Sequence, residues 1–373
     1  MKTDFLIIGG GIAGASIGYH LAETHSVIIL EMEDQPGYHT TGRSAAFYAE
    51  SYGGPSIRPL TSASKDFFKS PPKDFSTRPF IAPRGALHLF KAEERDRAEK
   101  EAFHAQQLNI PLKVVSKETA QKMHPLLKNA TFDGALYDKD CGDLDVAGLH
   151  QAYLRGLSQR GGKVMTQCEL LHAVREDKVW AAETSIEAIK AGVIVNAAGA
   201  WADVIAERCG LSPLQMAPKR RTVITASVQT SEHEDSAPLA LAFNETLYFK
   251  PESGKYILSP EDETLSDPCD AQPDLEDIAL AIYRFEELTV HKLDRPNHTW
   301  AGLRTFAPDC APVIGYDETQ SGFFWNVGQG GYGIQTCPAW STIAASIAKG
   351  QDIPESFKNF GCRVDDYTPA RLR

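Results

Sequence analysis

The residues of this chain best suited to chemistry are glycines and an acid, set at a spacing that suits a dinucleotide. Gly9, Gly11 and Gly14 stand in a G-x-G-x-x-G pattern behind the apolar run Phe5-Leu6-Ile7-Ile8, and Glu31 closes a second apolar run, Val27-Ile28-Ile29-Leu30. Each missing Cβ has its own use in such a pattern: Gly9 permits a tight turn, Gly11 lets backbone approach a pyrophosphate, and Gly14 lets a helix lie close on the strand. Ile12 and Ala13 open that helix, whose unpaired N–H groups and positive dipole end suit a pyrophosphate. A carboxylate at Glu31 accepts hydrogen bonds from ribose hydroxyls and repels a 2′-phosphate. The ligand expected is therefore FAD or NAD rather than NADP.

Further small-residue loops could serve the same ligand. Thr41-Gly42-Arg43-Ser44, leading into Ala45 and Ala46, follows the acid closely enough to pass the middle of an extended dinucleotide. Asn196-Ala197-Ala198-Gly199-Ala200-Trp201 repeats the strand-to-small-turn arrangement after the apolar run Val193-Ile194-Val195. Gly330-Gly331-Tyr332-Gly333-Ile334-Gln335 opens the last helix and offers a second anion-facing N-terminus.

The elements that must position these residues alternate between helical and strand periodicity. Helices are expected over 62–69, 92–107, 146–157 with Asp145 as cap, 274–287 and 338–348, and the segment from Ala45 is expected to begin one. Strands are expected over 85–90, 134–137, 163–167, 191–195, 300–304 and 323–327. Between 216 and 290 the text turns to alternating segments, 222–228, 246–250 and 255–258, which suggest antiparallel strands inserted into the first domain. The fold class expected is α/β, α+β overall: a Rossmann-like domain of discontinuous segments with an inserted, mostly antiparallel sheet. The division expected is 1–78, 143–217 and 303–373 for the cofactor, and 79–142 and 218–302 for the substrate.

Bulk properties narrow the partners. A length of 373 residues allows two substantial domains, and a formal net charge of −11 argues against a nucleic-acid partner. Seven cysteines, an odd total with no C-x-x-C pair, point to reduced thiols in a cytoplasmic setting. No metal site is expected. Lys2 precedes an apolar stretch, but Asp4 and the glycines spoil a signal-peptide reading, and no apolar run is long enough to span a membrane.

Taken together these blocks, with Pro36-Gly37-Tyr38-His39, Pro218-Lys219-Arg220-Arg221 and Thr299-Trp300-Ala301-Gly302-Leu303-Arg304, resemble the D-amino-acid oxidase superfamily of FAD-dependent oxidoreductases, and within it the bacterial D-arginine dehydrogenases. The resemblance implies non-covalent FAD on the loops named above. It implies oxidative deamination of a D-amino acid to a 2-oxo acid by way of an imine, with hydride transfer to flavin N5. An acceptor other than oxygen, such as a quinone, is implied too, with peripheral docking at the inner membrane left open. Arg221 and Arg304 would hold the substrate carboxylate, Tyr52 and Tyr248 would assist there, and the Gly331 carbonyl would accept from the substrate amine. A planar guanidinium suits the carboxylate role because it grips both oxygens and stays ionised when buried. In sarcosine oxidases the cysteine that attaches flavin matches Gly302 here, so Cys310 is expected to be a buried free thiol.

The departures concern the substrate. Arginine-specific relatives carry a glutamate where this chain has Ala86, and a histidine and a threonine where it has Phe47 and Ala49; Leu239 and Leu241 complete the wall. Every replacement removes polarity, so apolar or uncharged side chains are expected over D-Arg and D-Lys. Glu50 and His88 lie close in sequence and could rescue a cation. The alternative expectation is a secondary-amine or glycine/sarcosine-type oxidase that produces hydrogen peroxide.

Overall fold

A computed structural model describes residues 1–231 and 233–373. Lys2–Ile8 forms β1, Ile12–Leu21 forms α1 and Val27–Leu30 forms β2. β1 runs parallel to β2 on one side and to Ala188–Asn196 on the other. Lys163–Met165 extends the parallel order beyond β2, and Phe323–Val327 extends it beyond residues 194–196.

This sheet is covered on both faces, which is why its strands read as unbroken apolar runs. Leu6, Ile8, Ile28, Leu30 and Trp325 pack on the side of helix Ala202–Arg208. Ile7, Ile29, Val195 and Phe324 pack on the other side, under α1 and helix Gly333–Ala348. The Trp340 indole donates to Asn326 Oδ1 at 2.6 Å, and the Asn326 amide donates to the Ala13 carbonyl at 3.0 Å. Helix Gly333–Ala348 is thereby hydrogen-bonded through the sheet to α1.

The second sheet has the strand order His298–Phe306, Ala217–Ala226, Lys255–Ser259, Tyr248–Glu252, Leu239–Ala242, Ala86–Phe90, Gly134–Asp138, Leu112–Ser116. Its pairs are antiparallel except Leu239–Ala242 against Ala86–Phe90. The mixed α/β architecture with a mostly antiparallel second sheet is thus the one expected. One face packs Leu87, Ile224, Phe249 and Leu258 against Phe285 of helix Leu275–Thr289. The other face carries Ala86, Leu239, Leu241 and Tyr248.

Local departures from expectation have local causes. Phe47–Tyr48 is not the start of a helix; it is a two-residue strand paired with Gly142–Asp143, and Tyr48 is fully buried with its hydroxyl donating to the Thr61 carbonyl. The small residues before it favour a helix, but burial of the ring decides. The helix expected at 62 begins at Arg58 with Pro59 in its first turn, where a missing N–H costs nothing. The hairpin Leu170–Glu176 with Val179–Thr184 escapes a sequence reading because Leu171 and Val174 are exposed, which blurs its alternation. No helix among the described residues is long and apolar enough to cross a membrane.

Asp317 shows how the C-terminus is held. Its carboxylate accepts from Trp325 Nε1 at 2.9 Å, Arg373 Nη2 at 2.6 Å and the Thr319 hydroxyl at 2.5 Å. Burial opposes ionisation, yet these hydrogen bonds prevail and hold the pKa at about 2, below the ordinary 3.8. A carboxyl depressed in the folded state contributes stability above its unfolded pKa and loses it as pH falls toward the folded one. Denaturant titrations should therefore show stability falling between 3.8 and about 2. Asp317→Asn should lower stability at pH 7 and flatten that acid dependence.

Candidate active site

The glycine turn after β1 is shaped by close backbone contacts. Gly9 has φ +107, and a Cβ there would meet the Ala197 carbonyl oxygen at 2.5 Å. A Cβ on Gly14 would lie 1.9 Å from the Gly9 carbonyl oxygen, so only glycine lets α1 settle on β1. A Cβ on Gly11 would stand 3.1 Å from the Thr41 hydroxyl, filling the cradle at the helix start. The Ile12 N–H donates to that hydroxyl at 3.0 Å. Glu31, buried at the end of β2, accepts from the Gly10 and Glu33 N–H groups at 2.9 and 3.0 Å. Burial raises its pKa, with those hydrogen bonds opposing the rise.

Above this turn lies a cleft of about 270 Å³ that runs from Glu31 to Arg304. Gly9, Gly11, Ile12, Ala13, Glu31, Thr41, Arg43, Ser44, Ala45 and Ala46 line it from the N-terminal side. Ala198, Gly199 and Trp201 line its flank, and Gly330, Gly331, Gly333, Ile334 and Gln335 line it from the start of helix Gly333–Ala348 and the loop before it. Gly14, Gly42 and Tyr332 stand outside the lining: the two glycines shape the backbone and Tyr332 packs behind Tyr52. The Gly42 N–H closes its loop on the Gly37 carbonyl at 2.7 Å, and the Tyr332 ring packs on Tyr52 at 4.9 Å. The Arg43 guanidinium leaves the cleft altogether: it donates to the Ala271 and Ala301 carbonyls and pairs with Asp270. This loop is further tied to the second sheet by the Thr40 hydroxyl on the Leu303 carbonyl and the Trp300 indole on the Arg43 carbonyl.

At the other end the predicted polar residues converge. Arg221 pairs in register with Gly302, and Arg304 with Lys219, which puts both arginines on the same face of neighbouring antiparallel strands. A Cβ on Gly331 would lie 3.0 Å from Arg304 Nη1 and 3.4 Å from the Tyr52 hydroxyl, so these groups meet at that glycine. Tyr248 lines the same end, its hydroxyl pKa pushed up to about 12 by burial against the pull of Arg221. Gln335 braces Tyr52 from behind by donating to its carbonyl and to Thr61 Oγ1.

The apolar wall is two layers deep. Phe47, Leu241 and Tyr248 face the cleft, whereas Ala49, Ala86 and Leu239 do not line it. Those three are 2%, 1% and 0% exposed and pack behind the first layer. Glu50 is paired with Lys65 at 2.5 Å, and His88 is half-buried with its Nε2 enclosed and its pKa lowered by desolvation; neither lines the cleft. Sequence reasoning missed Glu261, which lines the cleft beside Arg221, and His150, whose ring donates to the Gly10 carbonyl at 2.8 Å. Burial lowers the pKa of His150 and favours the neutral ring. No metal-binding cluster occurs among the described residues.

Comparison with known proteins identifies the family and the fold. Residues 4–347 match the FAD dependent oxidoreductase (DAO) family, and the chain belongs to it. Glycine oxidase of Geobacillus kaustophilus is 22% identical over 366 residues, covering 94% of each chain. Human mitochondrial dimethylglycine dehydrogenase is 22% identical over 363 residues, but the match spans only 41% of that relative's length. Among solved structures, L-proline dehydrogenase from P. horikoshii superposes with TM-score 0.83 at 22% identity, covering 100% of this chain and 98% of the other. The G. kaustophilus glycine oxidase superposes with TM-score 0.81 at 20% identity, covering 94% and 95%. At these identities the superpositions speak for the fold. The cofactor is FAD, and the glycine cradle fits a dinucleotide's pyrophosphate.

Gly14→Ala should yield protein purified without visible flavin, because its methyl cannot share space with the Gly9 carbonyl. Gly54→Ala, where a Cβ meets nothing within 4 Å, should keep full flavin absorbance.

Proposed function

We propose that this enzyme oxidises the carbon–nitrogen bond of a small α-amino acid of the glycine or N-methylglycine type, giving an imine that water hydrolyses to the oxo acid and the amine. The observation that carries this reading is the meeting of Arg221, Arg304, Tyr52 and Tyr248 in a cleft whose side-chain compartment is filled by Phe47 and Leu241. The arginines bind the carboxylate, because a buried guanidinium keeps its charge and makes charge-assisted hydrogen bonds. Tyr52 and Tyr248, with pKa values raised by burial, remain neutral hydroxyl donors at that end. Phe47, with ring centroids 6.1 Å from Tyr52 and 6.2 Å from Tyr248, limits the substituent on the α-carbon and excludes water from it. FAD bound along the cleft supplies the two-electron acceptor. The names of the relatives, glycine oxidase and dimethylglycine dehydrogenase, support a small, N-linked substrate class.

A second reading, an apolar D-amino acid, draws on the same wall. It requires Phe47 to swing aside and open the layer formed by Ala49, Ala86 and Leu239. The pure holoenzyme decides between the two when assayed for hydrogen peroxide and for reduction of an artificial acceptor with glycine, N-methylglycine, D-Leu and D-Arg. Higher kcat/KM for glycine or N-methylglycine is expected, and faster turnover of D-Leu would favour the second reading. D-Arg as the best substrate would refute both. Comparing the two detection methods also tells an oxidase from a dehydrogenase.

Arg304→Met should raise KM roughly ten- to hundredfold, since hydrogen bonds to charged groups are worth about 1.5–3 kcal/mol. Phe47→Ala should raise the ratio of D-Leu to glycine turnover by exposing the second layer; an unchanged ratio would show that Phe47 does not set the size limit.

A further inference from the structure

An unpaired buried polar atom on a residue that lines a cleft is hydrogen-bonding capacity that a ligand there can take up. Among the described residues, Arg304 Nε and Glu261 Oε1 are buried without a hydrogen-bond partner, and both residues line the cleft. One is a donor with positive charge and the other an acceptor on an acid. Leaving either unpaired is costly, so a resident that supplies both an anionic and an N–H pole is favoured over one that supplies a single pole.

The surrounding contacts separate the roles of the two nearby acids. Glu263 lies outside the cleft lining, takes Arg304 Nη2 at 2.7 Å and Lys219 at 2.9 Å, and holds the arginine from behind. Glu261 instead faces the cleft, its side chain 9% exposed, with Oε2 at 3.5 Å from Arg221 Nη1. Its backbone sits at φ 55, in the left-handed region, as the chain turns after strand Lys255–Ser259. An acid held in that conformation at the arginine pair forms, with Arg221, an adjacent positive and negative pole. An α-amino acid carries the matching poles, its nitrogen about 2.5 Å from the carboxylate carbon.

Resting on the function proposed above, we propose that Glu261 Oε1 accepts a hydrogen bond from the substrate's ammonium group while the arginine pair holds its carboxylate, so that the site selects zwitterions over simple carboxylates. Burial raises the Glu261 pKa, and the Arg221 guanidinium opposes that rise and favours the ionised acceptor.

The test compares N-methylglycine with butanoate, which has nearly the same shape but no nitrogen. Binding is read from the perturbation of flavin absorbance in the holoenzyme under anaerobic conditions. The wild type should bind N-methylglycine at least about tenfold tighter than butanoate, and Glu261→Gln should erase that preference, weakening N-methylglycine roughly tenfold and leaving butanoate within about twofold. Glu261→Ala, a second variant in case the first loses flavin, carries the same expectation. Parallel weakening of both probes would mean that Glu261 only props Arg221, and no change in either would mean that it touches nothing; each result overturns the proposal. Butanoate binding without N-methylglycine binding to the wild type overturns it too, while leaving the arginine pair as a carboxylate site. Failure of both probes would instead remove the proposed function beneath it.

Discussion

The close seating of α1 on β1 at Gly14 is the constraint from which the rest of the molecule follows. Because no Cβ intervenes, the start of the helix points into the cleft, and the chain around Gly10 must be supported from elsewhere. It is: Glu31 accepts from the Gly10 N–H and His150 donates to the Gly10 carbonyl, from positions 21 and 140 residues away. Asn326 adds a hydrogen bond to Ala13 across 313 residues. A turn that in sequence looks self-contained is a junction of four separated segments.

The second dependency is the seam between the sheets. The loop after β2 is stitched to strand His298–Phe306 through Thr40, Arg43 and Trp300. The same strand carries Arg304 toward Gly331. The loop after β2 and the strand that carries Arg304 are therefore one mechanical unit, which keeps the two ends of the cleft in register. Charges in this seam are paired rather than stranded: Arg43 with Asp270, Arg304 with Glu263, Arg221 with Glu261 and Glu263. Buried guanidinium groups tolerate desolvation only with such partners.

What could be read from sequence alone follows the range of the interactions involved. The glycine turn, Glu31 and the buried runs of the parallel sheet are local patterns, and each stands where its spacing puts it. The convergence of Arg221 and Arg304 was legible only through family resemblance, since it depends on the register of two strands some 80 residues apart. Ala49, Ala86 and Leu239 were identified as a wall, but their place in the second layer depends on the Phe47 ring, whose position comes from pairing with Asp143. Glu261 was invisible because a non-glycine residue with positive φ has no sequence signature, and only that turn presents its carboxylate to the cleft.

The partners of β1 set an order of assembly during synthesis. Its neighbour on one side, residues 188–196, appears only once half the chain has been made, and that strand in turn receives 323–327 near the end. Until then the glycine turn emerges from the ribosome as an apolar strand and helix with no finished sheet to join. The nascent chain must keep this apolar strand from wrong pairings until residues 188–196 have been made, and the cleft that takes FAD is complete only after helix Gly333–Ala348 has been released.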